Sequence, residues 1–214
     1  MWESRKLPGL FLERPDPRDR AFLRYTLDPM NPSTVAALIR TFDDPSDGAA
    51  LKSLELISMI LDCSPAPFSR AQFTPGHITC TGLVLAPDGE QLLLIHHRRL
   101  DRWLLPGGHV EPEDAEIWDA ARREVVEETG AELLPNPAPP LAGLDVHGIP
   151  AGKGEPYHLH HDILFHFRAT SSQTQLSPES RAIAWCGPEE FSRYSVPENV
   201  RRAYARVRKL SSSR

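Results

Sequence analysis

The chain has 214 residues, of which 40% are apolar and 25% are charged, and its formal net charge is −5. This length suits one domain of ordinary size with a smaller appendage, and the negative balance excludes a generally basic surface that would attract nucleic acid or anionic membranes. No apolar stretch approaches the roughly 18 residues that span a bilayer, and the N-terminus lacks the apolar core of a signal peptide. We therefore expect a cytoplasmic protein without a membrane partner.

The cysteines are Cys63, Cys80 and Cys186. Three scattered cysteines do not make a disulfide framework, and no C-x-x-C pair indicates a zinc site. We expect buried free thiols.

Residues 1–72 are predicted to form a small helical extension ahead of a domain at 73–214. Asp16-Pro17 and Asn31-Pro32 each have the form of a helix cap followed by a first-turn proline, and a third helix is predicted over 47–61. This segment is too small to hold a core alone, so we expect it to pack on the following domain or on a second subunit. Our hypotheses for it are shaping of the substrate pocket or formation of a homodimer.

Two strands, at 77–86 and 91–97, are predicted around the turn Ala86-Pro87-Asp88-Gly89. The second strand delivers four basic residues just before Trp103: His96, His97, Arg98 and Arg99. Basic side chains at a strand end can bind phosphates, with Arg doing so bidentately, and Trp103 can stack on a base. The alternatives are solvated loop charges and a tryptophan that anchors the turn in the core.

The stretch from Gly107 to Gly130 reads GGHVEPEDAEIWDAARREVVEETG. We predict a glycine turn, an acidic loop with Asp114 as helix N-cap, and a helix closed by a left-handed Gly130. Its apolar face has helical spacing and would seat it on a core: Trp118, Ala121, Val125 and Thr129.

Three glutamates of that helix, Glu124, Glu127 and Glu128, lie within an arc of about 100°. Like charges at this spacing destabilise an isolated helix by about 0.2–0.5 kcal/mol per pair, and only Arg123 stands four residues from one of them, Glu127. A hard divalent cation relieves such repulsion, since Mg²⁺ prefers carboxylate oxygens and completes its shell with water and phosphates. The alternative is a solvated acidic face.

Beyond the helix, strands are predicted at 141–149, 157–169 and 182–186, with a mobile loop at 150–156 and a basic helix at 197–210. Period-two alternation puts His158, His160 and Asp162 on one face of the second strand. Because i and i+2 residues lie about 7 Å apart along a strand and no cysteine accompanies them, we do not predict zinc there. For Asp162 and His160 we keep open structural pairing, a supporting role at the Mg²⁺ site, or a base. A solvated surface is favoured for the basic helix over contact with RNA.

The stretch from Gly107 resembles the signature of the Nudix hydrolases, G-x5-E-x7-R-E-U-x-E-E-x-G-U, where U is aliphatic. Its second half matches at Arg123, Glu124, Glu127, Glu128 and Gly130. In the first half Asp114 stands where the pattern has glutamate. One inserted residue places Arg123 one position later than the pattern requires. The likeness extends over about 73–185, including the Arg102-Trp103 lead-in and His160-His161-Asp162.

The resemblance implies an α/β fold, with a mixed β-sheet between helices, and Mg²⁺-dependent hydrolysis of a nucleoside diphosphate linked to another moiety. Mn²⁺ is an alternative metal. The implied metal ligands are Glu124, Glu127 and Glu128 with the Gly107 carbonyl, and Arg123 is expected to orient the glutamates. The residues expected at the substrate are His97, Arg98, Arg99, Trp103, His109 and Asp162.

Three candidates are kept for the general base that takes a proton from the attacking water: a glutamate of the signature, Asp162 and Glu155. The identity of the substrate is also undecided, and RNA is considered only as a substrate with a capped end. A nucleotide-sensing module that has lost hydrolysis is the main alternative function. An isoprenoid diphosphate isomerase is a further one, which would need Cys80 near the pocket.

Overall fold

The structure is a computed structural model that describes residues 30–152 and 154–212. Two helices come first, α1 (Pro32–Ile39) and α2 (Gly48–Cys63), and the signature helix is α3 (Ile117–Thr129). A 3₁₀ turn (Pro188–Glu190) precedes α4 (Glu198–Ser212). Within these ranges the strands are β1 (Gly76–Leu85), β2 (Leu92–His97), β3 (Arg102–Leu104), β4 (Gly107–His109), β5 (Leu141–Ile149), β6 (His158–Arg168) and β7 (Ser180–Cys186).

The described strands form one mixed sheet in the order β3-β2-β1-β6-β5, with β4 also beside β1 and β7 beside β2. β1 and β6 are parallel neighbours, and β5 runs antiparallel to β6. Directly paired residues point to the same side of a sheet, so the pairs of Asp162 with Thr79 and with Asp145 lie on one face. This confirms the predicted α/β architecture and the polar face of β6.

The helices α1 and α2 confirm two of the three helices predicted in the N-terminal extension. Asn31 caps α1 by accepting a hydrogen bond from the Ser33 amide at 2.8 Å, and Asp47 caps α2 by accepting one from Ala50 at 3.1 Å. Ile39 and Ile57 are fully buried in the same core cluster as Ile163 of β6. The helix predicted from Asp16-Pro17 lies outside the described residues, and the division at residue 72 stays a prediction.

Ion pairs also connect α2 to the C-terminal helix. The Arg206 guanidinium donates to the carboxylates of Asp44 and Asp47, at 2.9 Å each. On the apolar side of α4, Val200, Ala203 and Val207 are buried. The basic helix is therefore a packed part of the fold, and Arg206 is engaged within the protein.

The cysteine prediction holds only in part. All three thiols are free, and Cys80 and Cys186 are buried, but Cys63 is exposed at the last position of α2. The prediction of a buried thiol was wrong for Cys63 because the helix extends two residues beyond the predicted end. Among the described residues, no helix combines the length and apolarity needed to cross a membrane.

Candidate active site

The helix α3 begins at Ile117 and ends at Thr129, and it is followed by the C-cap Gly130 in the left-handed conformation, with φ of 61°. That end confirms the prediction for Gly130. The start differs, because Glu116 is the N-cap and forms a capping box with Asp119. The prediction of Asp114 as N-cap was wrong because its carboxylate is used elsewhere, by Arg123 and by the Glu111 amide.

The apolar side of α3 packs closely on the sheet. Ala121, Val125 and Thr129 are buried, and Trp118 packs partly buried against the core, as predicted. A Cβ at Gly82 of β1 would lie 2.2 Å from the Val125 side chain, so glycine is needed there for the helix to approach. This close packing fixes the direction in which the glutamates point.

The three glutamates have graded exposure at the edge of a cleft. Glu128 is only 6% exposed, and its Oε2 accepts a hydrogen bond from the Gly107 amide at 2.9 Å. The side chain of Glu124 is 17% exposed and that of Glu127 is 58% exposed. A Cβ at Gly108 would lie 2.5 Å from the Glu124 carboxylate. The glycine turn therefore allows the backbone to approach the carboxylates directly.

Arg123 ties this group together. Its Nη1 donates to Glu124 at 2.8 Å and to Glu127 at 3.3 Å, and its Nη2 donates to the His109 carbonyl at 2.8 Å. Nε and Nη2 form a two-pronged contact with Asp114, at 3.1 Å each. Helical spacing alone predicted the contact with Glu127, and the contact with Asp114 was not predicted. Asp114 is thus the partner that orients the arginine.

Burial governs the electrostatics of the carboxylates. Loss of solvent raises the pKa of Glu128 to about 8, and nearby Glu124 and Glu127 add to the rise. Burial also raises the pKa of Glu124, against the lowering effect of Arg123. A cluster in which ionisation is unfavourable without further positive charge fits a divalent cation.

The glutamates border a cleft of about 1090 Å³ that runs along the polar face of the sheet. All the residues expected at the substrate line it: His97, Arg98, Arg99, Trp103, His109 and Asp162. Arg98 also donates to the carbonyls of Pro178 and Ser180, at 3.0 Å each. Trp103 makes edge-on ring contacts with Tyr194 and His96, so it also anchors the turn, as the alternative interpretation held.

A family model described as the NUDIX domain matches residues 76–207, which is more than half of the chain. The chain belongs to the Nudix family. The resemblance found in the signature stretch is thereby confirmed, and the enzyme class follows, since Nudix hydrolases cleave diphosphate bonds.

A putative 8-oxo-dGTP diphosphatase from Bacillus subtilis (strain 168) is 30% identical to this Nudix hydrolase over 121 residues, which are 56% of this chain and 72% of the relative. A Nudix hydrolase structure from Clostridium perfringens is 24% identical, covering 63% of this chain and 97% of its own, with a TM-score of 0.45. A C. elegans Ap4A hydrolase binary complex is 19% identical, covering 64% and 98%, with a TM-score of 0.47.

Two threonines that line the Nudix cleft, Thr79 and Thr81, were not predicted from the sequence. The Thr79 hydroxyl donates to Asp162 at 3.1 Å, and the Thr81 hydroxyl donates to both of its oxygens, at 3.0 and 2.8 Å. Burial raises the pKa of Asp162. The alternation along β1 could have revealed this pairing, but only together with the β1–β6 register.

Histidines from several strands also gather in the cleft. The rings of His77, His109 and His160 lie with centroids 4.9–5.5 Å apart. Burial lowers the pKa of His109 to about 4 and also lowers those of His77 and His160. His147 differs, because its hydrogen bond to Asp145 at 2.8 Å raises its pKa. His77 was not singled out from the sequence.

The pKa of Glu128 predicts how the stability of the metal-free Nudix hydrolase depends on pH. Its pKa is about 8 in the folded chain, above the usual 4.5, so the folded state binds more protons between these values. The contribution of this carboxyl group to the free energy of unfolding therefore falls as pH rises from about 5 to 8, by on the order of 3 kcal/mol. His77, His109 and His160 contribute with the opposite sign up to about pH 6.5, because their pKa values are lowered in the folded state. Urea unfolding in EDTA at several pH values measures this. The difference in unfolding free energy between the wild type and Glu128→Gln isolates this contribution and should fall over the same pH range, whereas a difference that does not change with pH would contradict the assignment.

Proposed function

We propose that this Nudix hydrolase is a Mg²⁺-dependent pyrophosphohydrolase that cleaves a nucleoside diphosphate linked to another moiety. The observation that carries the proposal is the convergence of Glu124, Glu127 and Glu128 at one edge of the cleft, oriented by Arg123. A solvated acidic face does not account for Glu128, which is only 6% exposed and accepts a hydrogen bond from the Gly107 amide.

The donor set fits Mg²⁺, with Mn²⁺ as a substitute. Glu124, Glu127 and Glu128 supply carboxylate oxygens, and the Gly107 carbonyl is the proposed backbone ligand at the adjoining turn. When bound, the metal polarises the diphosphate and acidifies a bound water. Arg123 holds the carboxylates in place through its contacts with Glu124, Glu127 and Asp114.

We place the proton acceptor among the glutamates of α3. Asp162 is less suited to that task because both of its oxygens already accept hydrogen bonds from threonine hydroxyls. Its position in the cleft suits it to orienting groups around the substrate. Glu155 also borders the cleft, on the loop before β6, and is the remaining alternative.

The substrate contacts follow from the residues at the cleft edge. His97, the last residue of β2, and the next two residues, Arg98 and Arg99, line the cleft and are proposed to contact the outer phosphates. His109 and the half-buried Trp103 offer ring surfaces to a base or sugar. A nucleotide substrate is also supported by the relative named as a putative 8-oxo-dGTP diphosphatase.

The isomerase alternative requires a reactive Cys80 in the cleft, and the position of this residue argues against it. Cys80 is fully buried, and it alternates with Thr79 and Thr81, whose side chains point into the cleft. Burial and nearby Asp162 raise the pKa of the thiol well above its usual value. Its side chain therefore faces away from the site and is unreactive.

A Mg²⁺-dependent screen tests the proposal. The panel contains ADP-ribose, dinucleoside polyphosphates, sugar nucleotides, oxidised nucleoside triphosphates and capped RNA ends, with products identified by mass. We expect cleavage of one diphosphate bond that stops in EDTA and resumes with Mg²⁺ or Mn²⁺. Tight binding of a nucleotide without any turnover would instead favour a sensing module and contradict the proposed hydrolysis.

A further inference from the structure

A second cluster of possible ligands lies in the cleft, away from the glutamates. It is formed by His77 of β1 with His158 and His160 of β6, and we call it the histidine cluster. One ring nitrogen from each lies within 4.8 Å of the others. The spacing along β6 alone did not predict zinc, but the third histidine comes from the neighbouring strand, where His77 pairs directly with His160.

Hydrogen bonds fix which nitrogen of two of these rings is available. His77 Nδ1 lies 3.1 Å from the Gln72 carbonyl, and His158 Nδ1 lies 2.9 Å from the Pro156 carbonyl. A carbonyl only accepts, so each Nδ1 must donate its proton, and each Nε2 then carries a lone pair. Backbone carbonyls play this part for histidines that bind metals, where they set the tautomer and the orientation of the ring.

The lone pair of His77 is not otherwise used. Its Nε2 is buried and has no hydrogen-bond partner in the described part of the chain. A buried polar atom without a hydrogen-bond partner is destabilising, so the position requires an explanation. A cation between the three rings would satisfy it, in the role that is proposed for Mg²⁺ at the glutamates.

We propose that His77, His158 and His160 bind a divalent transition-metal ion, with Zn²⁺ as the best fit. Imidazole nitrogen is a preferred ligand of Zn²⁺, with bonds of about 2.0–2.1 Å, whereas Mg²⁺ prefers oxygen. For tetrahedral geometry the nitrogens need to approach one another by no more than about 1.5 Å, which side-chain rotation can provide.

The ion would lie apart from the carboxylate site. His77 precedes Thr81, the partner of Gly107 in the sheet, by four residues, which is roughly 13 Å along the strand. All three histidines line the cleft, so a water molecule or Glu155, which also lines it, can supply the fourth ligand. The exposed Arg70 is the nearby charge that opposes the ion. This proposal does not depend on the hydrolytic function.

Metal binding by the full chain tests the inference. After treatment with EDTA and its removal, the protein is titrated with Zn²⁺ in a calorimeter, with excess Mg²⁺ present to occupy the carboxylates. We expect one Zn²⁺ per chain that Mg²⁺ does not displace. His160→Asn should weaken its binding at least about 100-fold, because a ligand is lost and not only a group that supports one. Absence of Zn²⁺ binding by the wild type would overturn the proposal.

Two controls locate the ion. His96→Asn changes a histidine of β2 outside the histidine cluster, and Glu127→Gln changes the carboxylate site; both should keep the Zn²⁺ affinity. Loss of Zn²⁺ binding in Glu127→Gln but not in His160→Asn would place the ion on the glutamates and refute the inference. His158→Asn is the second test variant, and circular dichroism checks its fold because His158 is buried. The visible spectrum of bound Co²⁺ should report nitrogen ligands in the wild type and change in both histidine variants.

Discussion

Glu128→Gln is expected to reduce kcat for diphosphate hydrolysis by roughly 10²- to 10³-fold, the cost of losing one group that stabilises a transition state. The amide keeps the size of the side chain and can still accept from the Gly107 amide, whose hydrogen bond to Oε2 is 2.9 Å long. It removes the charge that is proposed to bind Mg²⁺. Steady-state kinetics across a Mg²⁺ titration should show both the loss of turnover and a weaker apparent affinity for the metal.

The stability of the same variant separates loss of function from loss of fold. A neutral amide relieves the burial of a charge, so metal-free Glu128→Gln should be at least as stable as the wild type at pH 8. Glu127→Gln should also lose activity, with little change in stability because its side chain is 58% exposed. Glu132→Gln, in the exposed loop after α3, is the matched control and should remain active. Full turnover in either active-site variant would refute the assigned roles.

Arg123→Lys is expected to lower both stability and activity while preserving the charge. A lysine cannot reproduce contacts to Asp114, Glu124 and the His109 carbonyl at once, because it lacks the planar fork of the guanidinium. The side chain is 26% exposed, and loss of part of its network should cost about 2 kcal/mol of unfolding free energy. Chemical denaturation measures that loss.

Kinetics distinguish a positioning role for Arg123 from a purely structural one. If the arginine orients the glutamates, kcat should fall about 10-fold or more at temperatures where the variant is fully folded, and more Mg²⁺ should be required. Arg122→Lys is the control: this neighbour donates to the Asn136 carbonyl at 2.6 Å and stacks over Phe167, away from the glutamates. An Arg123→Lys enzyme with normal kcat and normal Mg²⁺ dependence would contradict the positioning role.

Local patterns predicted much of the fold because they depend on neighbouring residues. The cap at Asn31, the left-handed Gly130 and the buried side of α3 all follow from side chains within a few residues of one another. The start of α3 was predicted wrongly for a related reason. Asp114 has the right chemistry for a cap, but Arg123, nine residues later, binds it. Local propensity gave way to a tertiary ion pair.

By itself, the sequence determined the carboxylate side of this site, since the spacing of Glu124, Glu127 and Glu128 on one helix fixes their common direction. It also determined that His158, His160 and Asp162 share one face of a strand. Only the tertiary structure decided what lies beside them. The parallel register of β1 with β6 brings His77 to His160 and Thr79 to Asp162, more than 80 residues apart in the chain. Strand register depends on the packing of the whole sheet, so no local pattern could have specified those partners.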